Sequence, residues 1–210
     1  MIDGDVYHHI IDVCRQGPGS QFELLDEAGF AHLVEIQDLH KKKAVARKIS
    51  SRRLPEPQKP HIHLALSVPR FNVLEDVLEK AVELGVTDLH LFFSKFSFVR
   101  SEDKISESKW ERWKKIILSS TQQSGRADLM RLHSPIRLEK LVFEVNLTGN
   151  NWGLMAYEGQ TKTSVTEAIK TAPHQSLDQV WVFVGSEGGF SEDEAQLMET
   201  VEPRWPASFE

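Results

Sequence analysis

Residues 180–185, VWVFVG, are apolar at every position up to the closing glycine. A strand that half-faces water alternates polar and apolar residues, so an unbroken run predicts cover on both faces, as in a parallel sheet. Parallel strands need long crossovers, usually helices. GLMAYE at 153–158 is a second such run. Upstream, Ile62, Leu64, Leu66 and Val68 share one strand face. Val73, Leu74, Val77, Leu78, Ala81 and Leu84 then keep helical spacing until Gly85, with Asn72 and Glu75 placed as a cap pair. DLHLFF follows as a strand. Trp110, Trp113, Ile116, Ile117 and Ser120 stripe a second helix ending near Gly125, and Leu138, Leu141, Val142 and Val145 stripe a shorter one. The pattern is α/β.

The texture differs before residue 61. LPEPQKPH brings Pro55, Pro57 and Pro60 close together, a composition that resists helix and central strand alike and reads as a linker. Before it, Phe22 and Leu24 alternate with Gln21 and Glu23, Asp26 to Gly29 has turn chemistry, and FAHLVEI can return as the partner strand. The expected organisation is a small β domain over residues 1–58 and an α/β domain over 61–210. The single cysteine, Cys14, cannot build a disulfide framework, which predicts a reducing, cytoplasmic setting. No run approaches the roughly 18 apolar residues of a membrane span, so no membrane partner is expected. The net charge is −6, yet Lys41, Lys42, Lys43, Arg47, Lys48, Arg52 and Arg53 cluster without an acid among them. That contrast favours phosphate contact over a merely solvated strand face.

VWVFVG delivers Gly185 to the carboxyl edge of the sheet, where ligands bind in α/β folds. Gly188 and Gly189 let a ligand approach bare backbone. Ser191 and Glu194 have capping-box spacing, with Glu192 and Asp193 between them. Three acids in a first helical turn disfavour a phosphate there. The spacing also fails the P-loop and G-x-G-x-x-G signatures, which leaves a phosphate-free ligand such as S-adenosylmethionine, or simply a tight turn.

GSEGGFSEDE at 185–194 resembles the GPEGG-F-S-x-x-E motif of the RsmE family, ribosomal RNA methyltransferases that act on N3 of a uridine in the small subunit. LEKAVELGV, with Lys80 and Gly85, is similar to that family's QKATELGV. RWKKIILSSTQQSGR, with Arg112, Gln123 and Arg126, is similar to its RW-x-K-I to EQ-x-x-R helix. HHIIDVCRQGPGSQFELLD resembles its N-terminal HH-L-x-x-V-L-R-x-x-x-G-D strand region. The resemblance implies a PUA-like domain that helps grip RNA, a SPOUT-type trefoil-knot domain, a homodimer, and S-adenosylmethionine held by three loops. Two of those loops map to Ala156, Tyr157 and Glu158, and to Val184, Gly185, Ser186, Glu187, Gly188 and Gly189.

The implied partner is ribosomal RNA of the small subunit, with Arg15, Lys42, Lys43, Arg47, Lys48, Lys80 and Arg126 as contacts. Uridine N3 must lose a proton before it attacks, so a cation and a base are needed; Arg126 and Glu187 are the candidates for these catalytic roles. The alternative is a noncatalytic RNA-binding relative. The chain departs from the family pattern at four places, the first being the family's opening R-x-F strand, which is not found at the start of residues 1–58, so that β domain is expected to be incomplete. Ser186 replaces a proline, which should loosen the loop. Phe96 stands where T-E-R-S has arginine. METVEPRWPASFE replaces the segment expected to supply the third cofactor loop, which predicts weak donor binding. His61 and His63 share one face of a strand, with His8 and His9 as candidate neighbours in the fold, but no third ligand of recognisable spacing appears, so no metal is expected. Trp110 and Trp113 are candidates for core or dimer packing.

Overall fold

The computed structural model describes residues 1–26, 28–55, 57–145, 150–157, 164–172 and 177–201; Glu158 and residues 202–210 lie outside them. The chain divides into two compact units, Met1–Glu56 and Pro57–Glu210.

The first unit is an antiparallel sheet of β1 (Ile2–Asp3), β2 (Gln21–Leu25), β3 (Phe30–His40) and β4 (Lys43–Arg53), in the order β1-β4-β3-β2. The β2–β3 hairpin closes at Asp26, whose carboxylate accepts the Phe30 N–H at 2.9 Å and meets His32 Nε2 at 2.8 Å. Residues after β1 are helical: α1 (Gly4–Tyr7) runs into a π-helical turn, His8–Val13. This corrects the strand expected of HHIIDV. Tyr7, Ile10 and Ile11 are three and four residues apart, so a helix puts them on one face, and they pack with Ile2, Ile36 and Ala44.

The second unit is a five-stranded, wholly parallel sheet in the order β7-β6-β5-β9-β8, comprising β5 (His61–Ser67), β6 (Asp88–Phe93), β7 (Arg131–Arg137), β8 (Asn151–Ala156) and β9 (Gln179–Val184). α2 (Phe71–Glu83) and α3 (Glu107–Ser124) cover one face, burying Leu74, Leu78, Trp113 and Ile117 against Leu66, Leu89 and Leu91. α4 (Leu138–Glu144) and α6 (Glu192–Val201) cover the other, with Leu138, Val142 and Met198 against Phe92, Met155 and Phe183. α5 (Val165–Thr171) packs Ala168 on Trp152 and Leu154. Cover on two faces is why the strand runs are unbroken in apolar character.

α2 and α3 end at glycines with φ of 86° and 69°, Gly85 and Gly125, as their spacing predicts. The start of α2 differs. No side chain caps it, Asn72 lies inside the helix, and Glu75 reaches across to α3, where Arg112 donates two bonds of 2.7 Å. Trp113 is wholly buried between α2 and α3, so it belongs to the core and not to a dimer surface. Among the described residues no helix is long and apolar enough to cross a membrane.

Candidate functional site

Because every strand of this sheet points the same way, the carboxyl ends gather at one edge, where α/β folds bind ligands. Val184 is paired with Ala156 on one side and Leu66 on the other, so the segments that follow β5, β8 and β9 emerge side by side. Tyr157 is half-buried beside this edge.

The glycine loop is tightly wound. A β-carbon at Gly185 would lie 2.7 Å from the Gly189 carbonyl carbon, closer than real β-carbons come to backbone. Gly189 has φ 67°, and its N–H donates to the Ser186 carbonyl at 2.8 Å. Ser186 does not loosen the loop. Its hydroxyl donates to the Phe96 carbonyl at 2.7 Å, tying the loop to the segment after β6. Ser191 and Glu194 form the expected reciprocal cap, with bonds of 2.9 and 3.4 Å. The other oxygen of Glu194 accepts the Lys95 N–H at 2.7 Å, a second tie to the same segment. Glu187 and Gly188 are exposed at the tip.

Arg126 is elsewhere. Its guanidinium donates to the Val82 and Val86 carbonyls at 2.9 and 2.8 Å and pairs with Asp128 at 2.6 Å, with the side chain only 13% exposed. It satisfies carbonyls at the C-terminal end of α2, where a cation is favoured. That end lies at the amino edge of the sheet, roughly 20 Å from the glycine loop for a strand of six residues. Arg126 thus makes structural bonds in this chain, and the fold does not bring it to the glycine loop. Replacing it with methionine would leave two carbonyls and a carboxylate without their partner; we expect a loss of about 2 kcal/mol in unfolding experiments, with S-adenosylmethionine affinity unchanged. A stable variant with lost donor binding would overturn this assignment.

Lys80 lies near the same end of α2, neutralised by Glu83 at 3.0 Å and Glu79 at 3.6 Å. In the first unit, Arg47 pairs with Glu35 and Arg52 with Glu23, so part of the basic cluster is spent within its own sheet. Lys42 occupies the β3–β4 turn, and Lys43 and Lys48 are exposed on β4; among the described residues no ion pair holds these three. Arg15 is exposed after the π-helical turn.

The histidines fall differently from the expected grouping. His8 pairs with Asp12 and His9 contacts Cys14 in the first unit. His63 instead joins Asp88, His90 and His133 at the amino edge of the parallel sheet. Its Nδ1 is 3.2 Å from His90 Nε2, His90 stacks on His133 at 4.1 Å, and Trp181 stacks on His63 at 4.3 Å. Ligand atoms of His63, Asp88 and His90 lie within 4.8 Å of one another. The Asp88 carboxylate, however, already accepts from Arg131 at 2.7 Å and meets His133 at 2.8 Å, which leaves a neutralised hydrogen-bonded cluster. Burial, with His133 and His63 as further causes, pushes His90 down to about 3. Burial also lowers His63. For Asp88 burial opposes ionisation, but bonds with His133 and Arg131 outweigh it and hold the carboxyl well below the usual range.

Sequence reasoning marked Phe96 only as a departure from the family pattern and missed Lys95, which adjoins the loop's helix cap, and the neighbouring pair Phe98 and Arg70. Nothing in their local spacing marks them, since the sheet assembles them.

The family described as "RNA methyltransferase domain" matches residues 56–203, and "RNA methyltransferase PUA domain" matches residues 2–49. Ribosomal RNA small subunit methyltransferase E of Helicobacter pylori is 32% identical over 195 residues, 92% of this chain and 79% of that protein. The Bacillus subtilis protein of the same name is 29% identical over 204 residues, 94% and 77% of the two chains. A ribosomal RNA small subunit methyltransferase E from Neisseria gonorrhoeae, solved bound to S-adenosyl methionine, shares the fold at a TM-score of 0.82 and 23% identity, over 100% of this chain and 82% of that one. The α/β, SPOUT-type unit preceded by a PUA domain agrees with the sequence expectation, and the chain belongs to the ribosomal RNA small subunit methyltransferase E family.

Proposed function

We propose that this protein methylates N3 of a uridine in 16S ribosomal RNA, using S-adenosylmethionine, in the cytoplasm and as a homodimer. The observation that carries the proposal is the wound glycine loop beside Ala156 and Tyr157 at the carboxyl edge. It offers bare backbone at exposed Gly188, and the α6 first turn behind it holds Glu192, Asp193 and Glu194. That chemistry suits a cationic ligand without phosphates and disfavours a nucleotide phosphate. Ala156, Tyr157 and Val184 to Gly189 would hold S-adenosylmethionine, which supplies an electrophilic methyl group when bound.

The rest of the chemistry belongs to the chain. Uridine N3 is protonated and lies on the pairing edge, so the base must be unpaired and the proton removed. Glu187, exposed at the loop tip, is the residue we assign to orient the donor or take that proton, its exposure there supporting the reading. The cation that favours the N3 anion falls to Lys95 or Arg70 at the same edge, since Arg126 is committed elsewhere. Lys42, Lys43 and Lys48 supply phosphate contacts from the PUA unit, supported by their lack of ion pairs among the described residues.

Calorimetric titration with S-adenosylmethionine, followed by labelled-methyl transfer to small-subunit RNA, tests the reading. Saturable donor binding and a reverse-transcription block at one uridine are expected. Absence of donor binding would leave the noncatalytic RNA-binding relative. Replacing Lys42, Lys43 and Lys48 with alanine should reduce the slope of log affinity against log salt by about 0.7 to 0.9 per lost contact; an unchanged slope would refute the placement of the RNA on this strand.

A further inference from the structure

Ser94 to Arg100, after β6 at the carboxyl edge, inverts the usual sorting of side chains. Ser94, Ser97 and Val99 are 7%, 3% and 5% exposed, whereas Phe96 and Phe98 are 43% and 59% exposed, with Lys95 and Arg100 also outward. Hydroxyls normally face water and phenyl rings the core. A buried network enforces the inversion here. Ser67 Oγ is 2.7 Å from the hydroxyls of Ser94 and Ser97, and the Ser94 N–H donates to Ser97 Oγ at 2.7 Å. The Phe98 N–H donates to the Val68 carbonyl at 3.1 Å. A one-residue slip that turned the rings inward would break these bonds and carry polar groups out of partnership in a dry interior.

The rings are flanked by cations. Arg70 Cζ lies 5.8 Å from the centroid of Phe98, and Lys95 Nζ lies 5.8 Å from that of Phe96. Phe96 also adjoins the glycine loop, because its carbonyl holds Ser186 and its β-carbon would be 2.9 Å from one added at Gly188. An unpaired nucleotide matches this surface, with a flat π face for each ring and a phosphate for each cation. An apolar protein partner would match the rings but leave the cations desolvated.

We propose that Phe98 and Phe96, with Arg70 and Lys95, form a stacking platform for an unpaired RNA base beside the glycine loop. This rests on the methyltransferase reading for the identity of the ligand as RNA. The platform replaces, with stacking, the arginine that the family resemblance leads one to expect at position 96.

The test is anisotropy of a labelled single-stranded oligouridine with the full chain. Phe98→Ala should weaken binding roughly tenfold or more, given the stacking energy of one base. Phe98→Leu, which keeps apolar bulk, should lose as much, and Phe98→Trp should retain affinity and show emission quenched by RNA. Phe98→Ala should leave the salt slope unchanged, whereas Arg70→Ala should lower it by about 0.7. Phe98→Ala binding within twofold of wild type would overturn the platform. So would a loss accompanied by a changed oligomeric state in sedimentation, which would assign the rings to a second copy of the chain. S-adenosylmethionine titrated into the same proteins separates the two proposals: a wild type that fails to bind the donor while the Phe98 series holds sinks methyl transfer and leaves the platform standing.

Discussion

Gly185→Ala should lower methyl transfer by about two orders of magnitude while shifting the melting temperature by only a few degrees. The added β-carbon would sit 2.7 to 2.9 Å from the Gly189 carbonyl carbon, α-carbon and oxygen. These are backbone atoms and cannot swing aside as the end of a long side chain would, so the loop must open by several tenths of an ångström to reach ordinary contact. Misplacement of a positioning element on that scale can cost about a hundredfold in rate. Stability should suffer less, because the loop lies at the edge of the sheet and Ser186, Ser191 and Glu194 keep their bonds. Calorimetry with S-adenosylmethionine and single-turnover transfer would measure the effect. Wild-type affinity and rate in the Gly185→Ala protein would show that the winding of this loop has no part in holding the donor.

The second large effect concerns acid. Above pH 6.5, the ordinary value for histidine, neither the folded nor the unfolded chain holds protons at His63 or His90. As pH falls below that value the unfolded imidazoles take up protons, while His90 stays neutral in the fold until about pH 3. The unfolded state then binds more protons, so stability drops by up to about 1.4 kcal/mol for each pH unit from this one group. His63 adds to the same slope. Below pH 3.8 Asp88 acts in the same direction, since its carboxyl resists protonation only in the fold. Thermal melts of the second unit between pH 7 and pH 4 should show a steady loss beginning near 6.5. Phe in place of His90, which keeps a ring in the stack and removes its titration, should flatten that limb. A wild-type melting temperature constant from pH 6.5 to 4.5 would mean the cluster opens to water and titrates normally.

What the sequence made legible was local. Gly85 and Gly125 end their helices because only the chain's own backbone is involved, and Ser191 with Glu194 closes a cap across three residues. VWVFVG and GLMAYE announced covered parallel strands for the same reason: burial on two faces leaves its mark at every position. β7 escaped notice because Pro135 breaks a strand pattern, yet a proline is tolerated on an edge strand, and β7 is one. The site needed contacts that spacing does not encode. Arg126 finds its carbonyls 40 and 44 residues back, and Ser186 finds Phe96 at a distance of 90 residues. The histidine cluster draws on three neighbouring strands, so of the histidines grouped by sequence only His63 belongs to it, and its partners Asp88, His90 and His133 come from β6 and β7.

The tie between Ser186 and residue 96 separates two kinds of inheritance. The serine hydroxyl is received by a backbone carbonyl, which any amino acid at position 96 would provide, and Gly188 abuts a β-carbon that every residue but glycine carries. The winding of the glycine loop is thus insensitive to which side chain residue 96 bears, while the proposed stacking platform is made of that side chain. Arginine or phenylalanine at 96 would leave the loop behind it unchanged. A change of side chain at this position is in this way insulated from the backbone that winds the loop.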